Sequence, residues 1–213
     1  MADVRKDGLV GYWKFDEGQG TAAHDSSGNG NDGMLLPAGS PPQWVDGKLG
    51  KGLQFDGVGD YVNAGASSMF NMNNVITIET WVYPSPSSSF SGLVSKKQWD
   101  GDVIGYHLAR TSTGNIYFAW GNGTVKDTLA SAPVPNNIWT NVVATFDNGK
   151  SSIYINGINT SKTSAVSSIA NTGYYLSIGS TQGATYPFNG TIDEVRIYNK
   201  ALTPDDTISL RAA

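Results

Sequence analysis

Ten residues, His24 to Gly33 (HDSSGNGNDG), gather oxygen-bearing side chains at close spacing. Asp25-x-Ser27-x-Asn29-Gly30 places oxygen donors at relative positions 1, 3 and 5 and a glycine at 6, the front half of a calcium-binding loop. A tight bend turns such side chains inward, and the glycine permits the bend. Position 12 would be Leu36, which has no donor atom, so the loop is not an EF-hand and another segment must supply a carboxylate. Asn31 and Asp32 are weaker ligand candidates, with a solvent-facing place as the alternative for Asp32.

The best donor is TIDEVRIY near the C-terminus. On strand alternation Asp193 shares a face with Val195 and Ile197, whereas Glu194 shares one with Ile192, Arg196 and Tyr198. If the aliphatic face is the core, Asp193 points inward, where an ionised carboxylate is costly without a partner. A calcium ion held by Asp25, Ser27, Asn29, Asn31 and Asp193 would provide that partner. Zinc suits the chain less, because it has two histidines and no cysteine. The competing reading needs no metal: Asp25 and Asn29 form Asx-type turns, and Asp193 accepts backbone N–H bonds.

The elements that must position these residues are strands. Short β-branched and aromatic runs recur between Gly, Asn, Asp, Ser and Pro clusters. They are Leu9 to Phe15, Val75 to Tyr83, Gly105 to Arg110, Asn115 to Trp120, Ile138 to Phe146, Ser151 to Asn156, Tyr174 to Gly179 and Thr191 to Asn199. In the first, alternation puts Leu9, Gly11, Trp13 and Phe15 on one side. IYINGIN predicts a hairpin turning at Asn156-Gly157, a pair that accepts positive φ. Helical periodicity is absent except in a short tail, Thr203 to Leu210, with Thr203 as N-cap and Pro204 in the first turn. The expected fold is all-β: a two-sheet antiparallel β-sandwich of jelly-roll type with one short C-terminal helical turn.

Composition narrows the function classes. The 213 residues carry 14 Lys+Arg and 18 Asp+Glu, a net charge of -4, with no basic cluster of the kind that marks nucleic-acid binding. No apolar run reaches membrane-spanning length. Without cysteine, disulfides and thiol chemistry are excluded. The start, MADVRKDGLVGYW, has no apolar signal-peptide region. We expect one domain over residues 1–213, a monomeric module taken from a longer protein.

Leu9 to Gly18 (LVGYWKFDEG) and Asp25 to Gly33, followed by GLQFDG with DYV, ITIETWV, WTNVVATFD, IYING and FNGTIDEVRIYN, resemble in this order a laminin-G-like domain of the concanavalin A-like superfamily. The resemblance spans nearly the whole chain. It implies a jelly roll whose first and last strands lie together, which would bring the Asp25 loop to Asp193, and it implies a structural calcium there. It also implies a module that binds carbohydrate or protein, or acts as a spacer, in secreted or cell-surface proteins.

Enzymatic relatives of that fold carry carboxylates at Glu-x-Asp-x-x-Glu or Glu-x-Asp-x-Glu spacing, as glycoside hydrolysis requires. Here Glu79 stands alone in TIETWV and suits polar pairing on a sheet face. Adjacent Asp193 and Glu194 would point to opposite faces. No nucleophile elbow or phosphate loop is present, and His107 beside Tyr106 is the lone neighbourhood suggestive of lyase chemistry. The reading is therefore a non-catalytic glycan-binding module with a structural calcium, with a protein-binding adhesion or spacer module and a polysaccharide hydrolase or lyase as alternatives. Sugar C–H faces favour exposed aromatic platforms. Trp13, Phe15, Phe55, Trp81, Trp139 and Phe146 fall inside the motifs and are assigned to the core, and Trp44 is assigned to structure. Trp99 in KKQWDGD, then Tyr186, Trp120 and Tyr106, are the candidates for glycan contact. Tyr174 is a further one.

Overall fold

The structure, a computed structural model, describes residues 6–97 and 101–211. The chain lays down β1 (Leu9–Trp13), β2 (Ala22–Ala23), β3 (Gly33–Leu36), β4 (Gln43–Asp46), β5 (Lys51–Asp56) and β6 (Tyr61–Asn63). The central strands are β7 (Val75–Pro84), β8 (Ser91–Ser95), β9 (Ile104–Arg110), β10 (Asn115–Asn122) and β11 (Lys126–Pro133). The last are β12 (Thr140–Asp147), β13 (Lys150–Ile155), β14 (Ile158–Thr163), β15 (Ser177–Ile178) and β16 (Asn189–Tyr198), before helix α1 (Pro204–Arg211). One sheet runs β14-β13-β12-β7-β16-β5-β4 with β1 also on β16; the other runs β11-β10-β9-β8-β15-β6-β3-β2. Every pairing is antiparallel, giving the expected two-sheet sandwich.

The alternating runs become strands because one parity finds the space between the sheets. Ile116, Phe118 and Trp120 of β10 meet Phe146 of β12 and Ile153 of β13 in one continuous core with Trp13, Phe55, Val195 and Ile197. Asn156 (φ 50°) and Gly157 (φ 86°) form the turn between β13 and β14, as IYINGIN predicts. Gly11 is dictated by packing rather than by its dihedrals: a Cβ there would lie 2.6 Å from the Trp13 ring.

The tail is a helix of eight residues. Thr203 N–H donates to Asp206 Oδ2 (2.9 Å), and Asp206 N–H donates to Thr203 Oγ1 (3.2 Å), a reciprocal cap. Leu210 and Leu202 pack on Tyr198 and Leu9 outside the main core. That contact corrects the expectation that Leu9 shares a side with Trp13. A bulge between Leu9 and Gly11 resets the alternation, so Leu9 turns outward and Val10 joins the core.

Candidate functional site

The last strand changes partners halfway along. Asn189–Ile192 pair with β5, whereas Val195–Tyr198 pair with β1. On its other edge β7 runs alongside both halves, with Asp193 opposite Trp81 and Arg196 opposite Glu79. Three steps on β16 thus match two on β7, a bulge carrying one extra residue, and Glu194 absorbs it at φ 54°.

The bulge overturns the parity expected for this segment. Ile192, Val195 and Ile197 all face the core, so Asp193, next to Ile192, lies on the outer face with Trp81. Glu194 reaches Arg196 and Tyr12 on that same outer side. The two acids are therefore not divided between the faces. Asp193 is buried nonetheless, because the Gly47–Gly50 turn covers it: Lys48 N–H (2.8 Å) and Leu49 N–H (2.9 Å) donate to its Oδ2. Its Oδ1 is buried with no hydrogen-bond partner. Burial, with the Glu194 charge behind it, pushes the Asp193 carboxyl up to about 7, against the opposing pull of the Leu49, Lys48 and Glu194 amides.

Beside it a charged network crosses four strands, β1, β16, β7 and β12. Arg196 donates from Nη1 to Glu79 Oε2 (3.1 Å) and from Nη2 to the Tyr12 hydroxyl (2.6 Å) and to Glu194 Oε2. The Tyr12 hydroxyl donates to Glu194 Oε2 at 2.6 Å, and Asn141 Nδ2 donates to Glu79 Oε1 at 3.2 Å. Arg196 also stacks over the Tyr12 ring, 4.1 Å from its centroid. Burial opposes the charge on Arg196, but Glu79 and Glu194 outweigh it and hold its pKa above the usual value. Burial likewise raises Glu79, with Arg196 pulling the other way. Glu79 thus pairs on a sheet face, as the sequence suggests.

This network floors a cleft of about 740 Å³ whose walls include Lys14, Asp16, Ser27 and Leu49. The size suits a small ligand. Glu79 is sealed beneath Arg196, and Glu194 accepts from both Arg196 and Tyr12.

The metal candidates separate into two places. Asp25 Oδ1 accepts from Tyr12 N (3.0 Å) and Ser27 N (2.8 Å), and its Oδ2 accepts from Ser27 Oγ (2.8 Å) and Asn31 N (2.9 Å). Asn29 Nδ2 donates to the Leu9 carbonyl (3.1 Å), and Asn31 Nδ2 to the Val10 carbonyl (2.9 Å). The loop thereby satisfies the edge of β1 that β16 leaves unpaired. None of Asp25's hydrogen bonds reaches Asp193, which is held instead by the Lys48 and Leu49 amides. Among the described residues no three His, Asp or Glu side chains gather as a metal-binding group. Asp193 keeps one oxygen without a partner, whereas each oxygen of Asp25 accepts two hydrogen bonds.

The glycan candidates also scatter. Trp99 lies outside the described residues. Trp120 and Tyr106 are corrected: both are buried core, Trp120 with its Nε1 donating to the Val166 carbonyl (2.9 Å) and Tyr106 with its hydroxyl donating to the Phe70 carbonyl (3.1 Å). They pair across β9 and β10 on the inward parity, which leaves neither ring a free face. Tyr186 is half-buried and edge-on to Phe90, 5.2 Å between centroids, in a cluster with Tyr117 and His107. Tyr174 is half-buried. Trp139 and Trp81, both expected in the core, lie outside it: Trp139 is half-buried against Tyr83, and Trp81 stands on the outer face under Lys48. Sequence reasoning missed Tyr12 and Arg196. The signal for them was in GYWKFD and DEVRIY, where Tyr12, Lys14 and Arg196 occupy the parity opposite Trp13 and Val195.

A laminin-G-like family model, described as the concanavalin A-like lectin/glucanases superfamily, matches residues 56–207. No curated protein matches the chain. Domain 4 of AbnA, a GH43 extracellular arabinanase from Geobacillus stearothermophilus, solved in complex with arabinotriose, superposes with a TM-score of 0.74 at 22% identity, over 96% of this chain and 98% of that one. The binding domain of Paraclostridial Mosquitocidal Protein 1 gives 0.76 at 18% identity, over 98% of this chain and 52% of that one. A Trypanosoma rangeli sialidase in complex with the inhibitor DANA gives 0.71 at 17%, over 98% and 33%. The chain therefore spans about half of the second structure and a third of the last, and at these identities the likeness is one of fold.

Proposed function

The chain belongs to the laminin-G-like family of the concanavalin A-like lectin/glucanase superfamily, and from this premise we propose that it is a non-catalytic carbohydrate-binding module of a secreted or cell-surface protein. The cleft at the β16 fork is its glycan site. The observation that carries the reading is the composition of that cleft: hydroxyls, ammonium groups and Asp16 line a space of ligand size over a floor whose carboxylates are engaged by Arg196 and Tyr12. Hydroxyl-rich ligands are recognised by convergent polar groups of this kind. The arabinotriose seen on AbnA domain 4 supports a sugar as the ligand of this fold. A structural calcium belongs to the same proposal, at Asp193 rather than in the Asp25 loop, with the orphaned Oδ1 as its support.

Calorimetric titration with neutral and acidic oligosaccharides tests the reading, alongside Leu49→Trp. That change puts bulk on the cleft rim, while Leu49 serves Asp193 through its backbone alone. Saccharide binding in the native protein, weakened about tenfold in the variant at unchanged melting temperature, is the expected result. Release of reducing ends or unsaturated products would instead favour an enzyme. Binding to no saccharide would favour a protein-binding or spacer module.

A further inference from the structure

We propose that a second cavity, outside the cleft at the β16 fork, is a separate subsite for a neutral saccharide and takes one sugar ring by its hydroxyl groups. It shares with the reading above the class of ligand, not the site.

The cavity, of about 290 Å³, lies between the β12, β13 and β14 ladder and the turn that leads into α1. Val142, Ala144 and Phe146 of β12 and Ile153 of β13 face the core, so Thr145 and Ser152 face outward. Register sets hydroxyls side by side: Thr77 of β7 opposes Thr145, Thr145 opposes Ser152, and Ser152 opposes Ser161 of β14. The first of the row is engaged. Thr77 Oγ1 donates to the Lys200 carbonyl (2.7 Å) and accepts from Leu202 N–H (3.0 Å), which pins the turn to the sheet. The next two are not. Thr145 and Ser152 are 6% and 5% exposed, both line the cavity, and neither hydroxyl makes a hydrogen bond among the described residues. A hydroxyl so placed is costly unless water or a ligand bonds to it. Ser91 and Thr191 are also buried hydroxyls without a partner, but they stand singly, on β8 and β16, and line neither this cavity nor the cleft. Thr145 and Ser152 differ in being adjacent and in facing a space of ligand size.

The chemistry is that of a neutral polyol. Each hydroxyl both donates and accepts, as the hydroxyls of a sugar do. Asp147 and Lys150, opposite each other at one end of the row, contribute one charge of each sign, so the site favours no ion. Leu202 and Pro204 supply an apolar wall for the C–H face of the ring. The volume lies at the small end of ligand pockets, which suits one ring rather than several. Leu202 also packs with Leu210, Tyr198 and Leu9. Leu9 lines the cleft, so this cluster stands between the two cavities and each can fill without the other.

Amide NMR titration with arabinotriose, xylotriose and galactotriose provides the test, in the native protein, in the double variant Thr145→Val/Ser152→Ala and in Leu49→Trp. At least one of the three should shift the Thr145 and Ser152 amides saturably. The double variant should weaken that response about tenfold, and Leu49→Trp should leave it unchanged. The double variant should melt no lower than the native protein, because a methyl group in place of an unpartnered hydroxyl strands no partner. Ser161→Trp, at an exposed position on the rim, fills the cavity by bulk and should give the same loss. Saturable shifts at Tyr12 and Ser27 alone overturn the second subsite and leave the glycan reading standing. Saturable shifts at Thr145 and Ser152 alone support the subsite and overturn the cleft as the glycan site. No saturable shift at either place with any of the three overturns both. A response at Thr145 and Ser152 kept at full strength in the double variant and in Ser161→Trp also overturns the subsite.

Discussion

The guanidinium of Arg196 stands 4.1 Å from the Tyr12 ring centroid while bridging Glu79 and Glu194. A residue of the last strand thus ties the first strand to a buried acid of the central one. Removing one member of such a group leaves the others charged and desolvated, which costs more than the group gains by existing. Arg196→Met should lower unfolding free energy by about 3–5 kcal/mol, read by urea denaturation. Adding Glu79→Gln to that variant should restore part of the loss, since the stranded charge then disappears. Equal stability of the single and double variants would mean that lost packing, not an uncompensated carboxylate, is the cost.

Asp193 and Asp60 predict an unusual pH dependence. Burial lifts each carboxyl from 3.8 to about 7, in Asp60 against the Asp56 amide. A folded state that binds its proton more tightly than the unfolded chain is favoured at low pH. The contribution is therefore fully present below about pH 4 and is lost as pH rises through 7. In chelator, Asp193→Asn should gain stability relative to the native protein between pH 4 and 8, visible as a difference of a few degrees in melting temperature. A constant difference across that range would show that the acid stays ionised in the fold.

Calcium reverses that trend if it sits at Asp193. A cation bound by the folded chain alone raises stability with its free concentration, and it favours the ionised carboxylate. Millimolar calcium should raise the melting temperature at pH 8 more than at pH 5, and Asp193→Asn should abolish the rise. Asp25→Asn should leave the calcium response intact while weakening the loop that closes β1. A response lost in Asp25→Asn and kept in Asp193→Asn would move the ion to the N-terminal loop.

The architecture was legible where local chemistry decides it. Asn156-Gly157 accepts positive φ with no help from distant residues, and the parity of Ile116, Phe118 and Trp120 names the core face of β10 directly. Thr203 and Pro204 announced α1 in the same way. The site was not legible, because it depends on bulges. The extra residue at Glu194 is visible only against β7, where Asp193 opposes Trp81 and Arg196 opposes Glu79. An alternation count along one strand cannot detect it. The same blindness hid the turn of Leu9 away from Trp13. Parity places Trp120 with Ile116 and Phe118 but does not say which end of a strand lies under the opposite sheet, and so does not separate a core ring from a rim one.

Gly11 tests how tightly that hidden geometry is packed. Its missing side chain makes room for the indole of Trp13, whose ring would stand 2.6 Å from an added Cβ, with Phe70 at 3.3 Å. Trp13 is fully buried and its Nε1 donates to the Asn31 carbonyl at 3.0 Å, so the ring cannot swing aside without stranding that bond. Gly11→Ala should therefore destabilise by about 1–3 kcal/mol through overpacking, despite the gain that alanine usually brings by restricting the unfolded chain. Because Tyr12 and Asp25 meet across the same strand, the displaced indole should also loosen the Asp25 loop, seen as faster amide hydrogen exchange at Ser27 and Asn31. Native-like stability with unchanged exchange would show that β1 can shift on β16 to accommodate a methyl group, and that the Trp13 seat is softer than its geometry implies.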